Sequence, residues 1–287
     1  MTATAFVGLG VMGYPMAGHL ATAGHDVTVY NRTQARADGW VARYGGRSAT
    51  TPGEAAAGAQ LVMVCVGNDD DVRAVTLGDS GVLAAMAAGT VLVDHTTASA
   101  ALARELHAVS ADRAVGFVDA PVSGGQSGAE QGVLTVMCGG EPAAFERARP
   151  VIESYARTVT HLGPAGSGQL AKMVNQICIA GVLQGLSEGL DFGRRAGLDL
   201  DLLLATISQG AAGSWQMENR GGTMARREFD FGFAVDWMRK DLAIVLDEAT
   251  RNGAVLPLTA LVAQFYGRLQ RQGHGRWDTS SLIELLA

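Results

Sequence analysis

The stretch Gly8-Leu9-Gly10-Val11-Met12-Gly13 constrains this chain more than any other. It is a G-x-G-x-x-G placed after a short apolar strand and before an apolar helix over 11–23. Each glycine has its own physical task. Gly8 makes a tight turn, Gly10 lets backbone approach a pyrophosphate, and Gly13 lets helix pack on strand. The helix N-terminus then offers unpaired N–H groups and a positive dipole end to phosphates. The alternative is a plain glycine turn before a buried helix. The strand–loop–helix context favours a dinucleotide site.

Short Val-rich runs bounded by turn residues predict further strands over 5–8, 26–30, 61–66, 90–94, 116–120 and 134–139. Helical patterns over 98–111 and 142–154 fall between some of them. Alternating strands and helices predict a mostly parallel sheet covered on both faces. After Gly163 the pattern changes to helices alone, over 169–195, 199–209, 235–252, 257–272 and 279–286. Asp199 and Thr279 suit N-caps, and Pro257 suits a first helical position. The expected architecture is α/β: a Rossmann-type dinucleotide-binding domain over 1–163, then an all-α domain over 164–287 with a long interdomain helix. Residues 163–168, Gly-Pro-Ala-Gly-Ser-Gly, form the expected hinge.

Composition removes several function classes. Apolar residues make up 48% and charged residues 17%, so the chain can bury a core. Net charge is −6 and no Lys or Arg run is present, so no basic face for nucleic acid is expected. No apolar run reaches the roughly 20 residues of a membrane span, and no basic stretch precedes the first apolar segment. Cys65, Cys138 and Cys178 lie far apart and form no C-x-x-C, which points to a reducing compartment. A cytoplasmic protein with no metal site is the expectation.

Four constellations carry chemistry. After the second strand stand Asn31, Arg32 and Thr33, where NAD-specific sites place an acidic residue for the ribose 2′-hydroxyl. Here no carboxylate repels a 2′-phosphate and a guanidinium can pair with it, so NADP is favoured, with NAD possible. The alternative is that Arg32 is a solvated loop residue. Next, Ser123, Gly124 and Gly125 can offer a hydroxyl and bare N–H groups to a carboxylate, or can form an ordinary strand-end turn. Lys172 lies one turn into an apolar helix, with Asn175 and Gln176 at i+3 and i+4. It fits proton transfer to a substrate oxygen or a snorkelling stem over apolar surface. Finally, Phe233, Trp237 and Lys240 share one face at helical spacing, a pattern that a core stripe with a solvated end also produces.

Five ordered anchors give the chain a resemblance. They are residues 8–13 with Pro15-Met16, Asp94-His95-Thr96-Thr97, Asp119 through Gly125, Gly166 through Asn175, and Lys240-Asp241-Leu242. Together they resemble the β-hydroxyacid dehydrogenase family, of the 3-hydroxyisobutyrate dehydrogenase and glyoxylate–semialdehyde reductase kind. The resemblance covers the whole chain. It implies that Lys172 is the catalytic residue and that Gly8, Leu9, Gly10, Val11, Met12 and Gly13 cradle the pyrophosphate. It also implies that Asn31, Arg32 and Thr33 form the NADP-type adenosine end, with Val66, Gly67, Thr97 and Lys240 as further cofactor contacts. Substrate contacts would be Thr97, Ser123, Gly124, Gly125, Asn175, Gln176 and Phe233, with Trp215 from the segment expected to set specificity. Gln176 departs from the second asparagine of many members, and Thr96 from the usual serine.

The resemblance implies an NADP-preferring oxidoreductase of small β-hydroxy acids or their semialdehydes. An imine reductase or reductive aminase shares the resemblance but usually carries Asp or Tyr at the position of Lys172. A non-catalytic cofactor-binding regulator would not need an ionisable group there. The apolar helix over 169–195 predicts a homodimer or homotetramer.

Overall fold

The computed structural model describes residues 1–286. It divides into two compact units, Met1–Lys172 and a second that begins at Met173. The strands of the first unit are β1 (Ala3–Val7), β2 (Asp26–Tyr30), β3 (Arg47–Ser48), β4 (Leu61–Val64), β5 (Val91–Asp94), β6 (Gly116–Asp119), β7 (Val122–Ser123), β8 (Leu134–Gly140) and β9 (Ala156–His161). Its helices are α1 (Gly13–Thr22), α2 (Gln34–Tyr44), α3 (Pro52–Ala56), α4 (Asp69–Thr76), α5 (Val82–Ala85), α6 (Ala100–Ala111), α7 (Gly125–Gln131) and α8 (Pro142–Ile152).

The strand order is β3-β2-β1-β4-β5-β6-β8-β7, and β9 also pairs with β8, in parallel. Strands β1 to β6 run parallel, while β8 is antiparallel to β6 and β7. The parallel part has the 3-2-1-4-5-6 order of the Rossmann fold. Successive residues of β1 enter different cores. Phe6 packs with Met16, Leu20 and Trp40. Ala5 and Val7 pack with Val62, Leu92 and Leu102. A sheet buried on both faces needs such continuous apolar strands, which is why they stand out in the sequence.

Helix α9 (Ser167–Arg195) starts in the first unit and continues into the second. The second unit adds α10 (Leu200–Ile207), α11 (Trp215–Arg226), α12 (Val235–Asn252) and α13 (Pro257–Arg271), around a core of Leu183, Leu190, Met224, Met238, Leu242 and Tyr266. Among the described residues no strand follows β9. Asp199 caps α10, its Oδ1 accepting from the Asp201 and Leu202 amides, both at 3.0 Å.

Two expectations need correction here. Residues Thr279–Leu286 form a 3-10 helix rather than an α-helix, and the capping carboxylate is Asp278, not Thr279. Asp278 Oδ1 accepts from the Ser280 amide at 3.0 Å and its hydroxyl at 2.6 Å. Helix α11 was not foreseen. Its centre holds Gly221-Gly222, which weaken helix propensity by about 1 kcal/mol each. Gly221 nonetheless lets α10 pack closely, since a Cβ there would lie 2.6 Å from the end of the Leu204 side chain, which would have to shift.

Candidate active site

Because β1 to β6 are parallel, their carboxyl ends lie along one edge of the sheet. The candidate residues of the first unit follow those ends: residues 8–13 after β1, Asn31, Arg32 and Thr33 after β2, Val66 and Gly67 after β4, Thr97 after β5, and Ser123 beyond β6. Open α/β sheets bind ligands at this edge, where the strand order reverses.

The glycine loop shows why each glycine is present. Gly8 has φ +98°, and a Cβ there would run into the Cys65 carbonyl. At Gly13 a Cβ would strike the Gly8 carbonyl and come within 2.8 Å of the Phe6 ring. Gly10 is different: no atom lies within 4 Å of where its Cβ would be. The loop is therefore filled with protein at its first and third glycines and open at its second. Met12, the N-cap of α1, makes no side-chain cap, which suits a helix end that meets an anion. These residues fit a dinucleotide pyrophosphate.

Asn31 is committed to the loop itself. Its Oδ1 accepts from the Leu9 amide at 3.0 Å, and its Nδ2 donates to the Thr33 carbonyl at 3.1 Å. Arg32 and Thr33 are exposed beside it.

Behind the strand ends lies a buried polar layer that the sequence pattern did not assign. Asp94 ends β5, and burial pushes its carboxyl up to about 7 against the pull of its bonds from Thr96. Its Oδ1 accepts from the Thr96 amide at 2.9 Å, and the Thr96 hydroxyl accepts from the Val66 amide at 3.0 Å. His95 Nδ1 faces the Ala120 carbonyl at 2.7 Å, so it carries the proton, and Nε2 accepts from the Tyr155 hydroxyl at 2.8 Å. Burial pushes this imidazole down to about 4, so it is neutral. Asp119 ends β6, and burial pushes it up to about 6. Its Oδ1 accepts from the Gly166 amide at 2.8 Å and its Oδ2 from the Gln169 amide at 2.9 Å. An acidic residue closing an apolar strand was the available signal for both aspartates.

Lys172 lies on the second turn of α9 and is only 7% exposed. A snorkelling lysine keeps its head in water, and this burial does not match it. Ser123 is half-buried, and Gly124 and Gly125 follow it with φ +126° and +59° at the start of α7.

In the second unit, Gln176 and Asp241 are both buried. Gln176 Nε2 donates to Asp241 Oδ2 at 2.6 Å, and its Oε1 accepts from Asn175 Nδ2 at 2.8 Å. Lys240 Nζ lies 3.2 Å from Asp241 Oδ1. Phe233 precedes α12 rather than sharing a helical face with Trp237 and Lys240, and Trp237 is exposed, so no core stripe exists there. Asp278 Oδ2 accepts from the Phe233 amide at 2.8 Å, and its Oδ1 lies 3.3 Å from Arg220 Nε. The Arg220 guanidinium in turn lies 5.0 Å from the centroids of both the Trp215 and Phe231 rings. One buried carboxylate thus links the segments that carry Trp215 and Phe233. Among the described residues no cluster of His, Cys, Asp and Glu is arranged to hold a metal ion, and no helix is long and apolar enough to cross a membrane.

Comparison with known proteins gives consistent matches over the whole chain. Residues 3–163 match a family model described as the NAD binding domain of 6-phosphogluconate dehydrogenase. Residues 166–286 match one described as the NAD-binding domain of NADP-dependent 3-hydroxyisobutyrate dehydrogenase. An uncharacterized oxidoreductase of Shewanella frigidimarina is 60% identical over 100% of this chain and 98% of its own. The NAD-dependent L-serine dehydrogenase of Pseudomonas aeruginosa is 35% identical over 99% of this chain and 98% of its own. The structure of Mycobacterium tuberculosis 3-hydroxyisobutyrate dehydrogenase with L-serine superposes with a TM-score of 0.91 at 33% identity, covering 100% of this chain and 99% of that one.

Proposed function

The chain belongs to the 3-hydroxyisobutyrate dehydrogenase-like, β-hydroxyacid dehydrogenase family of NAD(P)-dependent oxidoreductases, and we propose that it interconverts a small β-hydroxy acid and the corresponding semialdehyde with NADP preferred. The observation that carries this reading is Lys172, a buried amine at the start of the helix that Asp119 ties to the end of β6.

When bound, a nicotinamide cofactor would supply the hydride-transfer chemistry. The remaining steps belong to this chain. In oxidation the Lys172 amine takes the proton of the substrate hydroxyl, and in reduction its ammonium returns one to the carbonyl oxygen. Ser123 Oγ and the Gly124 amide hold the substrate carboxylate, fixing which carbon faces the cofactor. Thr97, Gly125, Asn175, Gln176, Trp215 and Phe233 complete the substrate contacts. Residues 8–13, Asn31, Arg32, Thr33, Val66, Gly67, Thr97 and Lys240 hold the cofactor. Exposed Arg32, with no acidic residue beside it in Asn31-Arg32-Thr33, supports NADP.

We assign 1–163 to cofactor binding and 164–287 to substrate binding and self-association. Exposed Val174 (61%) and Phe192 (74%) on α9 support a homodimer or homotetramer. The free thiols Cys138 and Cys178 fit a reducing cytoplasm. A panel of 3-hydroxyisobutyrate, L-serine and small semialdehydes, run with both cofactors in both directions, tests the proposal. Turnover of at least one β-hydroxy acid is expected. No turnover of any would overturn it.

A further inference from the structure

Gln169 is 1% exposed, and its side chain bonds on both sides of Thr97. Its Nε2 donates to the Thr96 carbonyl at 2.7 Å, and its Oε1 accepts from the Ala98 amide at 3.0 Å. The amide can sit only one way round, because Thr96 offers an acceptor and Ala98 a donor. The carboxamide thus pairs with the peptide groups flanking Thr97 as a neighbouring strand would. On its other side the Gln169 main-chain amide donates to Asp119 Oδ2, and Gly166 donates to Asp119 Oδ1. Gly168 has no room for a side chain: a Cβ would strike the Met137 carbonyl and lie 2.7 Å from the Asp119 carbonyl. The first turn of α9 is therefore pinned at two points, and Lys172 stands one turn beyond Gln169 on the same helix.

We propose that Gln169 is a positioning residue: its side-chain amide locks the loop carrying Thr97 to the helix carrying Lys172 and so sets the spacing between the two. The inference rests on Lys172 being the proton-transferring group. A buried glutamine with both amide atoms paired to backbone contributes rigidity that a hydrophobic residue of the same length cannot reproduce. Since small displacements of a reacting group are costly in rate, the loss should fall on kcat rather than on binding.

The test compares Gln169→Met, which keeps length but no hydrogen bond, with Gln169→Glu, which keeps the acceptor and loses the amide donor, and with Lys172→Ala. Kinetics are read with 3-hydroxyisobutyrate and L-serine under both NADP and NAD. Amide hydrogen exchange at Ala98 is read against core amides of β4 in the same samples, a readout that needs no turnover. For Gln169→Met, kcat should fall on the order of 10²-fold with KM changed less than about threefold, and Ala98 exchange should quicken at least about tenfold relative to β4. Gln169→Glu should retain Ala98 protection and still lose kcat. Unchanged kcat, a loss carried by KM alone, or unchanged Ala98 exchange in Gln169→Met would overturn the proposal. Full activity in Lys172→Ala would remove the reading beneath it. An inactive Lys172→Ala beside a fully active Gln169→Met would overturn the positioning role alone.

Discussion

Gln176 donates to Asp241 across 2.6 Å between two helices of the second unit, and both side chains are buried. A hydrogen bond to a buried carboxylate contributes about 1.5–3 kcal/mol, and stranding that carboxylate costs more. The extra methylene that distinguishes glutamine from asparagine is the reach this bond uses. Gln176→Asn should therefore lower thermal stability measurably, and Gln176→Leu should lower it further, by about 1.5–3 kcal/mol, because Lys240 Nζ, 3.2 Å from Oδ1, still pairs the Asp241 charge. Melts of both variants check this. A Gln176→Leu protein as stable as the parent would show that Asp241 has other sufficient partners.

The glycine loop separates two kinds of damage. Gly13→Ala drives a methyl group into the Gly8 carbonyl and the Phe6 ring, and should destabilise by about 1–3 kcal/mol. Gly10→Ala meets open space and should leave stability within about 1 kcal/mol of the parent. It should nevertheless weaken cofactor binding about tenfold or more, since the methyl group occupies the path to the phosphates. Fluorescence titration with NADPH beside thermal melts distinguishes them. A Gly10→Ala protein that binds normally would contradict the role given to the loop.

Arg32→Ala should raise the dissociation constant for NADP at least about tenfold, the scale of a lost charge-assisted pair, and that for NAD far less. Equal losses with both cofactors would remove the 2′-phosphate assignment.

The buried Asp94 gives stability a pH dependence of known sign. Its carboxyl is pushed up to about 7 in the folded chain from an ordinary value near 4. The fold therefore binds its proton more tightly than the unfolded chain does. That advantage is present below the ordinary value and is lost as pH rises from about 4 to about 7. Buried neutral His95 acts in the opposite sense: its contribution is present above about 6.5 and is lost as pH falls towards about 4. Asp94→Asn removes the first and leaves the second. Across pH 4–7 the parent should lose stability relative to Asp94→Asn by a few kcal/mol in urea titrations. A constant difference between the two would show that Asp94 does not titrate in that window.

The first unit was largely legible because its strands are buried on both faces, so runs such as Leu61-Val62-Met63-Val64 are apolar without interruption. β3 and β7 have only two residues each, too short to make a pattern. β9 alternates Arg157, Thr158, Val159 and Thr160, mostly exposed, so it has no apolar run to read. In the second unit, Gly221 hid α11 because the residue that lets two helices approach is also a poor helix former. The glycine loop and Lys172 were visible because they fall within ordered motifs. Asp119 and Gln169 were visible as letters of those motifs but had no assigned task. Their task is set by hydrogen bonds to backbone groups 47 to 73 residues away, which spacing along the chain cannot reveal.

Proton transfer by Lys172, as proposed above, is tested most directly by the kcat of Lys172→Ala on the best substrate of the panel, with NADPH affinity measured on the same protein. Loss of about 10²–10⁴-fold in kcat is expected, with cofactor affinity within about threefold of the parent. A variant that turns over at the parental rate, or that fails only because it no longer binds cofactor, would contradict this role for Lys172.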